Sequence, residues 1–325
     1  MERVYPKVTI GLCVKNSEET IKQCIESIIN QDYPHEFLEI IVVDGCSKDN
    51  TLPIIEETLL KTNIRNKIFF ESEGLGKARQ IVVNEGSGDY IVWVDGDMVI
   101  PKSYVRKHVE FMENNPDVGI AVGGRRGLPD DNLVSKLEDI MRTVSVVKWG
   151  KKAAPKMVAT AGSIYRVKAI KQVGGFNVQM RSGEDREISY NVRLAGWLLC
   201  GNTKNVFYEK LKYNWVVLWK KYFWYGYGWR SLLHKIGNCH ILIQRLPLIG
   251  LIDGLMLSIN AYKMIGKTWV FLLPLHFMFV WTAWYCGLIK ASITKYFVEN
   301  ERRTWCEDTR SFGKSQASKR FQANV

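Results

Sequence analysis

Acidic residues are missing from a long stretch in the middle of this 325-residue chain. Between Asp139 and Glu184 there is no Asp or Glu, whereas Lys and Arg recur throughout the stretch (Arg142, Lys148, Lys151, Lys152, Lys156, Arg166, Lys168, Lys171 and Arg181). The formal net charge of the whole chain is +12. A basic block of this kind is usually a solvated face, and it also suits phosphates or an anionic bilayer.

Paired cysteines and an apolar N-terminal segment are lacking as well. The seven cysteines are scattered and form no Cys-x-x-Cys pair (Cys13, Cys24, Cys46, Cys200, Cys239, Cys286 and Cys306). This pattern argues for free thiols in a reducing compartment and against a zinc site. The first six residues lack the apolar core of a secretion signal. We therefore expect the globular part of the chain to lie in the cytoplasm.

The first 205 residues alternate between apolar runs and amphipathic stretches. Strands are predicted over 7–14, 38–43, 67–71, 90–94, 118–123 and 159–166, and helices over 17–29, 51–61, 74–84, 101–114 and 183–197. This alternation with short connections predicts an α/β fold with a Rossmann-like, doubly wound and mostly parallel sheet. Ligands bind at the carboxyl ends of the strands in such sheets, where Asn16, Asp44 and Asp95 fall.

Two carboxylates, Asp95 and Asp97, directly follow the buried strand at 90–94. Like charges repel each other beside an apolar core, and this cost falls if a divalent cation lies between them. Oxygen ligands suit Mg2+ or Mn2+, and Mg2+ typically takes one or two carboxylates together with phosphate oxygens. The alternative is a polar turn that ends the strand, with Gly96 at positive φ.

The composition of the chain changes near residue 205. Residues 208–230 interleave aromatic and basic side chains, which suits a membrane–water interface. Base stacking uses similar residues, but no nucleic-acid-binding motif is present, so we expect no nucleic-acid partner. Residues 268–289 carry no charged side chain and are long enough to cross a bilayer. Residues 241–262 are apolar apart from Arg245 and Asp253, and predict a second span or an interfacial helix. The alternative is a buried helical hairpin in a soluble protein.

Several motifs, taken in order, resemble those of family 2 glycosyltransferases with the GT-A fold. They lie at 8–16, 42–51, 76–79, 94–97, 174–177 and 183–185, and the resemblance covers about residues 7–225. It implies an inverting, membrane-associated enzyme that moves one sugar from a nucleotide-sugar donor to a hydroxyl acceptor. It also implies four parts: a GT-A catalytic domain (1–205), an aromatic and basic interfacial region (206–240), membrane-associated or transmembrane helices (241–290) and a polar tail (291–325).

The resemblance assigns a nucleotide-sugar site to the first half of the chain. Val14 and Asn16 would shape the base pocket, and Asp44 would accept a hydrogen bond from a ring N–H of the base. Lys77 and Arg79 would bring positive charge near the nucleotide. Considered singly, Asn16 and Asp44 are also ordinary turn residues. No third glycine completes Gly-x-Gly-x-x-Gly at 74–76, so a dinucleotide site is not expected.

The resemblance also assigns the metal and the chemistry. Asp97 corresponds to the metal-binding carboxylate, Asp95 contacts the ribose or the same cation, and the implied cofactor is Mg2+ or Mn2+. Asp185 is the predicted base, and Glu184 and Arg186 are its neighbours on the acceptor side. The motif Gly183-Glu-Asp is equally suited to a helix N-terminus, where acids favour the macrodipole. The two interpretations are compatible.

The presence of Asp185 bears on the acceptor. An ionised lipid phosphate needs no base, and polyprenyl-phosphate sugar synthases of the family generally lack Gly-Glu-Asp. The resemblance therefore favours a hydroxyl on a glycolipid or a lipid-linked glycan. The Gln-x-x-Arg-Trp motif of processive synthases is absent, and Tyr225–Arg230 occupies the comparable region. We therefore expect transfer of one sugar without polymerisation.

Other classes of protein fit the sequence less well. A sugar-1-phosphate nucleotidyltransferase would carry a glycine-rich loop directly after the first strand, where this chain has Lys15-Asn-Ser-Glu18. A haloacid-dehalogenase-type phosphatase would place its paired aspartates on the first strand, followed by Thr. A polyprenyl-phosphate sugar synthase and a non-enzymatic, membrane-tethered glycan-binding protein remain the alternatives.

Overall fold

The computed structural model describes residues 5–128, 132–149, 157–180, 182–210, 213–236 and 240–294. The strands are β1 (Val8–Val14), β2 (Leu38–Asp44), β3 (Arg65–Phe70), β4 (Tyr90–Trp93), β5 (Met98–Val99), β6 (Val118–Gly127), β7 (Ser163–Arg166) and β8 (Leu198–Glu209). The helices are α1 (Ile21–Ile29), α2 (Thr51–Leu59), α3 (Leu75–Glu85), α4 (Tyr104–Glu113), α5 (Leu133–Trp149), α6 (Val167–Gln172), α7 (Glu184–Leu194), α8 (Trp215–Ile236), α9 (His240–Gln244), α10 (Pro247–Ile265) and α11 (273–294). The predicted polar tail lies outside the described residues, apart from its first four positions.

The strands of the described chain form one sheet in the order β3-β2-β1-β4-β7-β6-β8-β5. Strand β1 runs parallel to β2 and β4, β2 runs parallel to β3, and β6 runs parallel to β8. Strand β7 is antiparallel to its neighbours β4 and β6, and β5 is antiparallel to β8. Four of these seven pairings are parallel, so the predicted mostly parallel α/β sheet is confirmed.

Helices cover both faces of the sheet. One core cluster joins the sheet to α1, α2 and α4, with Ile25 and Ile55 fully buried. The other joins it to α3, α6 and α7, with Val82 and Ile170 fully buried. The near-continuous apolar sequences of β1 and β2 follow from this, because a strand buried on both faces has no polar side to present.

Two elements of this fold were not predicted. Strand β8 pairs with β6 along its length and ends at Glu209, so the sheet continues past the predicted boundary at residue 205. Helix α5 begins before the basic block, for which a solvated face, phosphate binding and an anionic bilayer are the open interpretations, and it buries Val134, Leu137 and Met141. These apolar residues contact α8 and α11, which are more than 70 residues away in the sequence. The pattern of apolar and charged residues along α5 therefore does not distinguish it from a segment that faces solvent.

Element boundaries also differ from the prediction. Helix α1 begins at Ile21, although Ser17 was the expected cap. The Ser17 backbone N–H donates to Thr51 Oγ1 (2.6 Å), and its carbonyl accepts from the N–H of Thr20 and of Ile21. Ser17 thus belongs to a turn that ties the β1–α1 connection to the start of α2. Similarly, β7 begins at Ser163, because the preceding residues form the turn closed by Ser163 N–H and Thr160 C=O.

Helix α10 carries its apolar side chains on the outside. Leu248, Ile252 and Met256 are 75%, 65% and 60% exposed and recur every four residues. The opposite stripe consists of small buried residues (Gly250, Gly254, Ser258 and Ala261), which contact α11 and the segment before it. A helix on the surface of a soluble protein has the reverse arrangement, with its apolar stripe facing inward.

Helix α11 packs closely against α8. A Cβ at Gly226 would lie 1.8 Å from the Trp284 carbonyl oxygen, and one at Gly287 would lie 1.9 Å from that of Phe223. The two helices therefore approach to backbone contact, which only glycine permits at these positions. A Cβ at Gly228 would similarly lie 2.4 Å from the Ser182 carbonyl oxygen. The Tyr225–Arg230 motif, for which the sequence suggested no firm role, thus places α8 between α11 and the start of α7.

A buried charged cluster joins α11 to the rest of the fold. Glu138 on α5 is fully buried, and its carboxylate accepts hydrogen bonds from Arg142 Nε (2.6 Å) and Tyr222 OH (3.1 Å). It also lies 3.2 Å from His276 Nε2 on α11, which must carry the proton for this contact to be a hydrogen bond. The carboxylate thus connects α5, α8 and α11.

Replacing Glu138 with Ala is expected to lower the free energy of unfolding by about 3 to 5 kcal/mol, because the largely buried Arg142 guanidinium would lose its nearest counter-charge. Thermal and denaturant unfolding of the purified chain in detergent, followed by circular dichroism, measures the loss. Glu57→Ala is the matched control, since it removes a carboxylate from an exposed pair with Lys61. Equal effects of the two substitutions would contradict a stabilising role for the cluster.

The same cluster predicts sensitivity to acid. Burial raises the pKa of Glu138, but the Arg142 charge and the His276 contact outweigh burial and hold the pKa well below its ordinary value of 4.5. Because the folded pKa is the lower one, this stabilisation is fully present above about pH 4.5 and is lost as the pH falls through the folded pKa. We expect Glu138→Gln to lose stability at neutral pH and to show a weaker dependence on acid than the wild type.

Candidate active site

The Asp95-Gly-Asp97 turn is held between two strand pairings. Asp95 follows β4, and Asp97 precedes β5, whose Met98 is paired with Glu209 of β8. The Asp97 carbonyl accepts a hydrogen bond from Lys210 N–H (2.9 Å), and the Asp95 carbonyl accepts one from Met98 N–H (3.0 Å). Strand β8 therefore brings Glu209 and Lys210 next to the two aspartates.

Glycine is required at position 96 of this turn because a side chain there would collide with its neighbours. Its φ is not positive, unlike the expectation for a polar turn. A Cβ at Gly96 would instead lie 2.9 Å from Val14 Cγ1 and 3.2 Å from Ser17 Oγ. The close approach brings the Asp95–Asp97 turn against the carboxyl end of β1, where the predicted nucleotide residues begin.

Negative charge is concentrated around Asp97. Burial, the Glu209 carboxylate and the Asp95 carboxylate raise the pKa of Asp97 to about 7, while Lys221 opposes the rise. Burial also raises the pKa of Asp95, against the charge of Arg79 and with a further contribution from Glu209. Carboxylates held together in this way have an excess of negative charge that a cation would relieve.

A divalent cation fits this donor set as a partner of the substrate. Within the described ranges, no three His, Cys, Asp or Glu side chains are grouped as a complete metal site. Asp95 and Asp97 offer two carboxylates, and Mg2+ is typically held by one or two carboxylates with phosphate oxygens as the other ligands. The two aspartates are therefore suited to a cation that arrives with a phosphate ligand.

A cleft of about 540 Å³ opens beside these aspartates. Of the predicted site residues, Val14, Asn16, Asp95 and Asp97 line it. Lys15, Glu18, Asp49, Lys210 and Tyr213 are among the other lining residues. The cleft thus lies at the carboxyl ends of β1 and β4, the position at which open α/β sheets bind their ligands.

Asp44 and Asn16 connect two loops at one side of the cleft. The Asp44 carboxylate is 2% exposed and accepts hydrogen bonds from Ser47 N–H (2.9 Å) and Ser47 Oγ (2.5 Å). Asn16 has a φ of +49°, and its side-chain oxygen accepts from Lys48 N–H (2.9 Å). Both residues therefore shape the β2–α2 connection. Contact of Asp44 with a nucleotide base stays a prediction.

Lys77 and Arg79 do not line the cleft, although both were expected near the nucleotide. The Lys77 amine pairs with Glu71 (3.1 Å) and with Glu73. Arg79 is buried, pairs with Glu184, and lies 5.9 Å from the Trp93 ring centre. Arg79 thus connects α3 to the first turn of α7 from below the cleft, and a direct contact with the donor stays a prediction for both residues.

The first turn of α7 carries the predicted base. Gly183 caps this helix with a φ of +82°, a conformation that favours glycine. Glu184 is 1% exposed, and burial raises its pKa to about 7 against the charge of Arg79, with a further rise from Asp185. The buried Glu184 therefore joins the first turn of α7 to Arg79 of α3. Asp185 and Arg186 are half-exposed on the same turn.

The predicted base acts electrostatically on the predicted metal site. The charge of Asp185 contributes to the raised pKa of Asp95 and also acts on Arg79. Asp95 in turn acts on Asp97. The charges of the two acidic motifs therefore act on each other, and Asp95 is affected by both Asp185 and Glu209.

Several charged residues of the site were not predicted. Glu209 is 7% exposed and contacts Arg125 Nε and Arg142 (3.6 Å). Lys221 on α8 donates a hydrogen bond to the Tyr213 hydroxyl, and its charge lowers the pKa of Asp97. We had interpreted the basic residues of 208–230 as a membrane-facing feature. The alternation of Lys with aromatic residues gave no signal that separates Lys221 from its neighbours.

Residues 9–174, just over half of the chain, match the family model Glycosyl transferase family 2. The chain belongs to this family. The match includes β1, β2, the Asp95–Asp97 turn and Gly174, and therefore most of the sheet that carries the cleft.

Two curated relatives and one solved structure are similar to the chain. Over 114 residues it is 34% identical to the poly(ribitol-phosphate) beta-N-acetylglucosaminyltransferase TarS of Staphylococcus aureus, covering 34% of this chain and 20% of the relative. Over 214 residues it is 26% identical to the poly-beta-1,6-N-acetyl-D-glucosamine synthase of Staphylococcus epidermidis, covering 60% and 50%. The mannosyltransferase PcManGT from Pyrobaculum calidifontis, solved with GDP-Man and Mn2+, superposes with a TM-score of 0.60 at 16% identity, covering 93% of this chain and 84% of that one.

These comparisons establish the family and the fold. The GT-A fold predicted from the sequence is confirmed. The matched stretches span a fifth and a half of the length of the two curated relatives, so their activities and substrates belong to those proteins.

Proposed function

We propose that this protein is an inverting glycosyltransferase that moves one sugar from a nucleotide-sugar donor to a hydroxyl acceptor. The observation that carries the proposal is the cleft at the carboxyl ends of β1 and β4, whose lining includes Asp95 and Asp97. The first turn of α7 acts on this site electrostatically, because the charge of Asp185 acts on Asp95 and Glu184 pairs with Arg79. Membership of the glycosyl transferase family supports the reaction class.

In this proposal the donor lies in the cleft lined by Val14, Asn16, Asp95 and Asp97. A divalent cation, Mg2+ or Mn2+, held by Asp97 and Asp95 would stabilise the negative charge of the departing nucleoside diphosphate. Lys210 lines the same cleft, and Lys221 acts on both aspartates, so these side chains add positive charge to that of Arg79, which acts on Asp95.

Asp185 removes the proton from the acceptor hydroxyl as the hydroxyl attacks the anomeric carbon. Asp185 lies in the first turn of α7, next to Glu184. The buried Arg79–Glu184 pair holds that turn against α3 and the sheet. One base and attack opposite to the leaving group give a single displacement with inversion.

The C-terminal helices place the acceptor side at a membrane in this proposal. Two segments, Pro247–Ile265 and Thr268–Thr294, are apolar and long enough to cross a bilayer. The outward apolar stripe of α10 and its inward stripe of small residues resemble helix packing within lipid. We propose that this surface contacts the cytoplasmic leaflet, so that the acceptor is a saccharide on a lipid-linked glycan or a glycolipid.

The membrane proposal predicts that the full-length chain sediments with membranes and floats with phosphatidylcholine vesicles. Ile252→Asp and Met256→Asp are expected to reduce the bound fraction strongly, because a carboxylate within the hydrocarbon region costs about 2.5 to 3.5 kcal/mol. Leu60→Asp is the matched control, since Leu60 is 87% exposed at the end of α2. Recovery of the wild-type chain in a detergent-free supernatant would contradict the proposal.

The proposed reaction is tested by incubating the purified chain with a panel of nucleotide sugars and Mn2+ or Mg2+. Metal-dependent release of a nucleoside diphosphate supports the glycosyltransferase. Conversion of a nucleotide sugar to a nucleoside triphosphate on addition of pyrophosphate would indicate a nucleotidyltransferase. The absence of turnover with every donor and a membrane extract would favour a glycan-binding protein.

A second candidate is transfer of the sugar to a lipid phosphate, as in a polyprenyl-phosphate sugar synthase. Two arginines beside the predicted base, Arg186 and Arg245, favour an anionic acceptor. The products separate the candidates, because a sugar joined to a phosphate is released by mild acid, whereas a glycosidic bond between two sugars survives.

A further inference from the structure

Two arginines lie around one buried tryptophan next to the predicted base. The Arg186 guanidinium carbon lies 5.3 Å from the centre of the Trp229 ring, and that of Arg245 lies 4.8 Å from the same ring. Trp229 is 3% exposed and belongs to α8, whereas Arg186 follows Asp185 on α7. Arg245 comes from the connection between α9 and α10.

Aromatic rings surround Arg245 on several sides. Its guanidinium carbon lies 4.9 Å from the Trp281 ring centre and 4.8 Å from that of Trp284, in addition to its contact with Trp229. Such contacts hold a guanidinium in place and leave its N–H groups free to donate. The three rings therefore orient Arg245 without neutralising its charge.

The side chains around Arg186 and Arg245 offer more hydrogen-bond donors than acceptors. Within the described part of the chain, neither Arg186 nor Arg245 has a carboxylate within ion-pair distance. The buried indole N–H groups of Trp281 and Trp284 have no acceptor among the described residues either. Buried donors are normally paired, so the two buried indole N–H groups without an acceptor, beside two half-exposed guanidinium groups without a carboxylate, favour a ligand as the partner.

The two arginines also repel each other. Burial and the charge of Arg186 lower the pKa of Arg245 to about 9. One arginine on the Trp229 ring would be enough to join the helices. The positive charge of the second arginine makes this contact weaker. An anion placed between the two guanidinium groups removes this repulsion and satisfies the free donors.

We propose that Arg186, Arg245 and the indole N–H groups beside them bind the phosphate or diphosphate group of a lipid-linked acceptor. This inference rests on the proposed glycosyl transfer, and it adds to that function an anionic group close to the reacting hydroxyl. Arg186 adjoins the base, so the phosphate is carried by the sugar unit that reacts or by the unit next to it.

The surroundings of Arg245 favour a lipid over a soluble phosphate. Ile243, Leu246 and Leu248 flank it in the sequence and are 55%, 41% and 75% exposed. A hydrocarbon chain that leaves a phosphate at Arg245 passes directly onto these side chains and onto the apolar face of α10. A soluble sugar phosphate leaves this apolar surface uncovered.

Binding of farnesyl diphosphate to the full-length chain in detergent tests the proposal, with farnesol and inorganic pyrophosphate as the partial ligands. We expect Arg245→Met and Arg186→Met to weaken farnesyl diphosphate binding by about 10- to 100-fold, the loss typical of a hydrogen bond between charged groups. Farnesol is expected to bind at least 10-fold more weakly than the diphosphate and to be insensitive to both substitutions. Pyrophosphate is expected to need concentrations at least 10-fold higher than farnesyl diphosphate.

Lys263→Met is the matched control, because it removes a cation from the exposed end of α10 without touching the arginine pair. Arg245→Lys tests folding separately, since it keeps the charge and should retain more affinity than Arg245→Met. Affinity for the nucleoside diphosphate with Mn2+ is measured in every variant and is expected to be unchanged by Arg245→Met. This readout tests the donor site and is independent of the phosphate site.

Three results would overturn the proposal. Farnesol that binds as tightly as farnesyl diphosphate would show that no phosphate is recognised. Pyrophosphate that competes at the same concentration as farnesyl diphosphate would show a site for free anions. Complete displacement by phosphatidylglycerol vesicles, with no displacement by phosphatidylcholine vesicles, would show that the arginines contact bilayer headgroups. Failure of every donor to turn over, with farnesyl diphosphate binding intact, would instead contradict the proposed transfer alone.

Discussion

Asp97→Ala is expected to lower turnover by on the order of 1,000-fold, the loss typical when a group that stabilises transition-state charge is removed. Asp97 lies in the cleft with Asp95, and the two carboxylates are the groups suited to a cation that bridges the donor phosphates. Without Asp97 the departing diphosphate would lose that stabilisation. Release of nucleoside diphosphate at saturating donor, measured over a titration of Mn2+, provides the test.

The same variant is expected to bind the nucleoside diphosphate more weakly with Mn2+ and unchanged without it. Asp89→Ala is the matched control, because Asp89 is an exposed carboxylate at the opposite end of β4. It is expected to retain wild-type turnover. If Asp97→Ala bound the nucleotide with Mn2+ as tightly as the wild type, Asp97 would not be a metal ligand.

Asp185→Asn is expected to retain donor binding and to lose transfer by about 100- to 10,000-fold, which is the usual contribution of a general base. The substitution keeps the size of the side chain and its place in the first turn of α7. It removes only the ability to accept the hydroxyl proton. Steady-state kinetics should therefore show a lower kcat with an unchanged KM for the donor.

Asp117→Asn is the corresponding control, since it makes the same chemical change at an exposed position before β6. Near-wild-type transfer by Asp185→Asn would mean that Asp185 is not the base. Such a result, together with an acid-labile product, would favour the lipid phosphate as the attacking group and thus the second candidate function.

The central strands and the Asp95–Asp97 turn could be predicted because their signals are local. The apolar runs of β1, β2 and β4 are continuous, since both faces of each strand are covered by helices. A pair of carboxylates after such a strand stands out without knowledge of its neighbours. The same holds for Asp185, whose place after Gly183 also marks the start of a helix.

The remaining site residues depend on contacts between distant parts of the chain. Glu209 reaches Asp97 because β5 pairs with β8, more than 100 residues later. The Lys77 and Arg79 side chains are two residues apart on α3, yet one pairs with acids near its own turn and the other with Glu184. The spacing of Lys77 and Arg79 in the sequence does not show which partner each side chain meets.

The amino-acid sequence was thus sufficient for the family, the α/β sheet and the two acidic motifs, because each produces a pattern within a few consecutive residues. The folded chain was needed to show the cleft beside Asp95 and Asp97 and the contact of Trp229 with both Arg186 and Arg245. The physical reason is that charge and hydrogen bonding act over a few ångströms in space. The residues that meet at this distance come from α7, α8 and the α9–α10 connection, which only packing brings together.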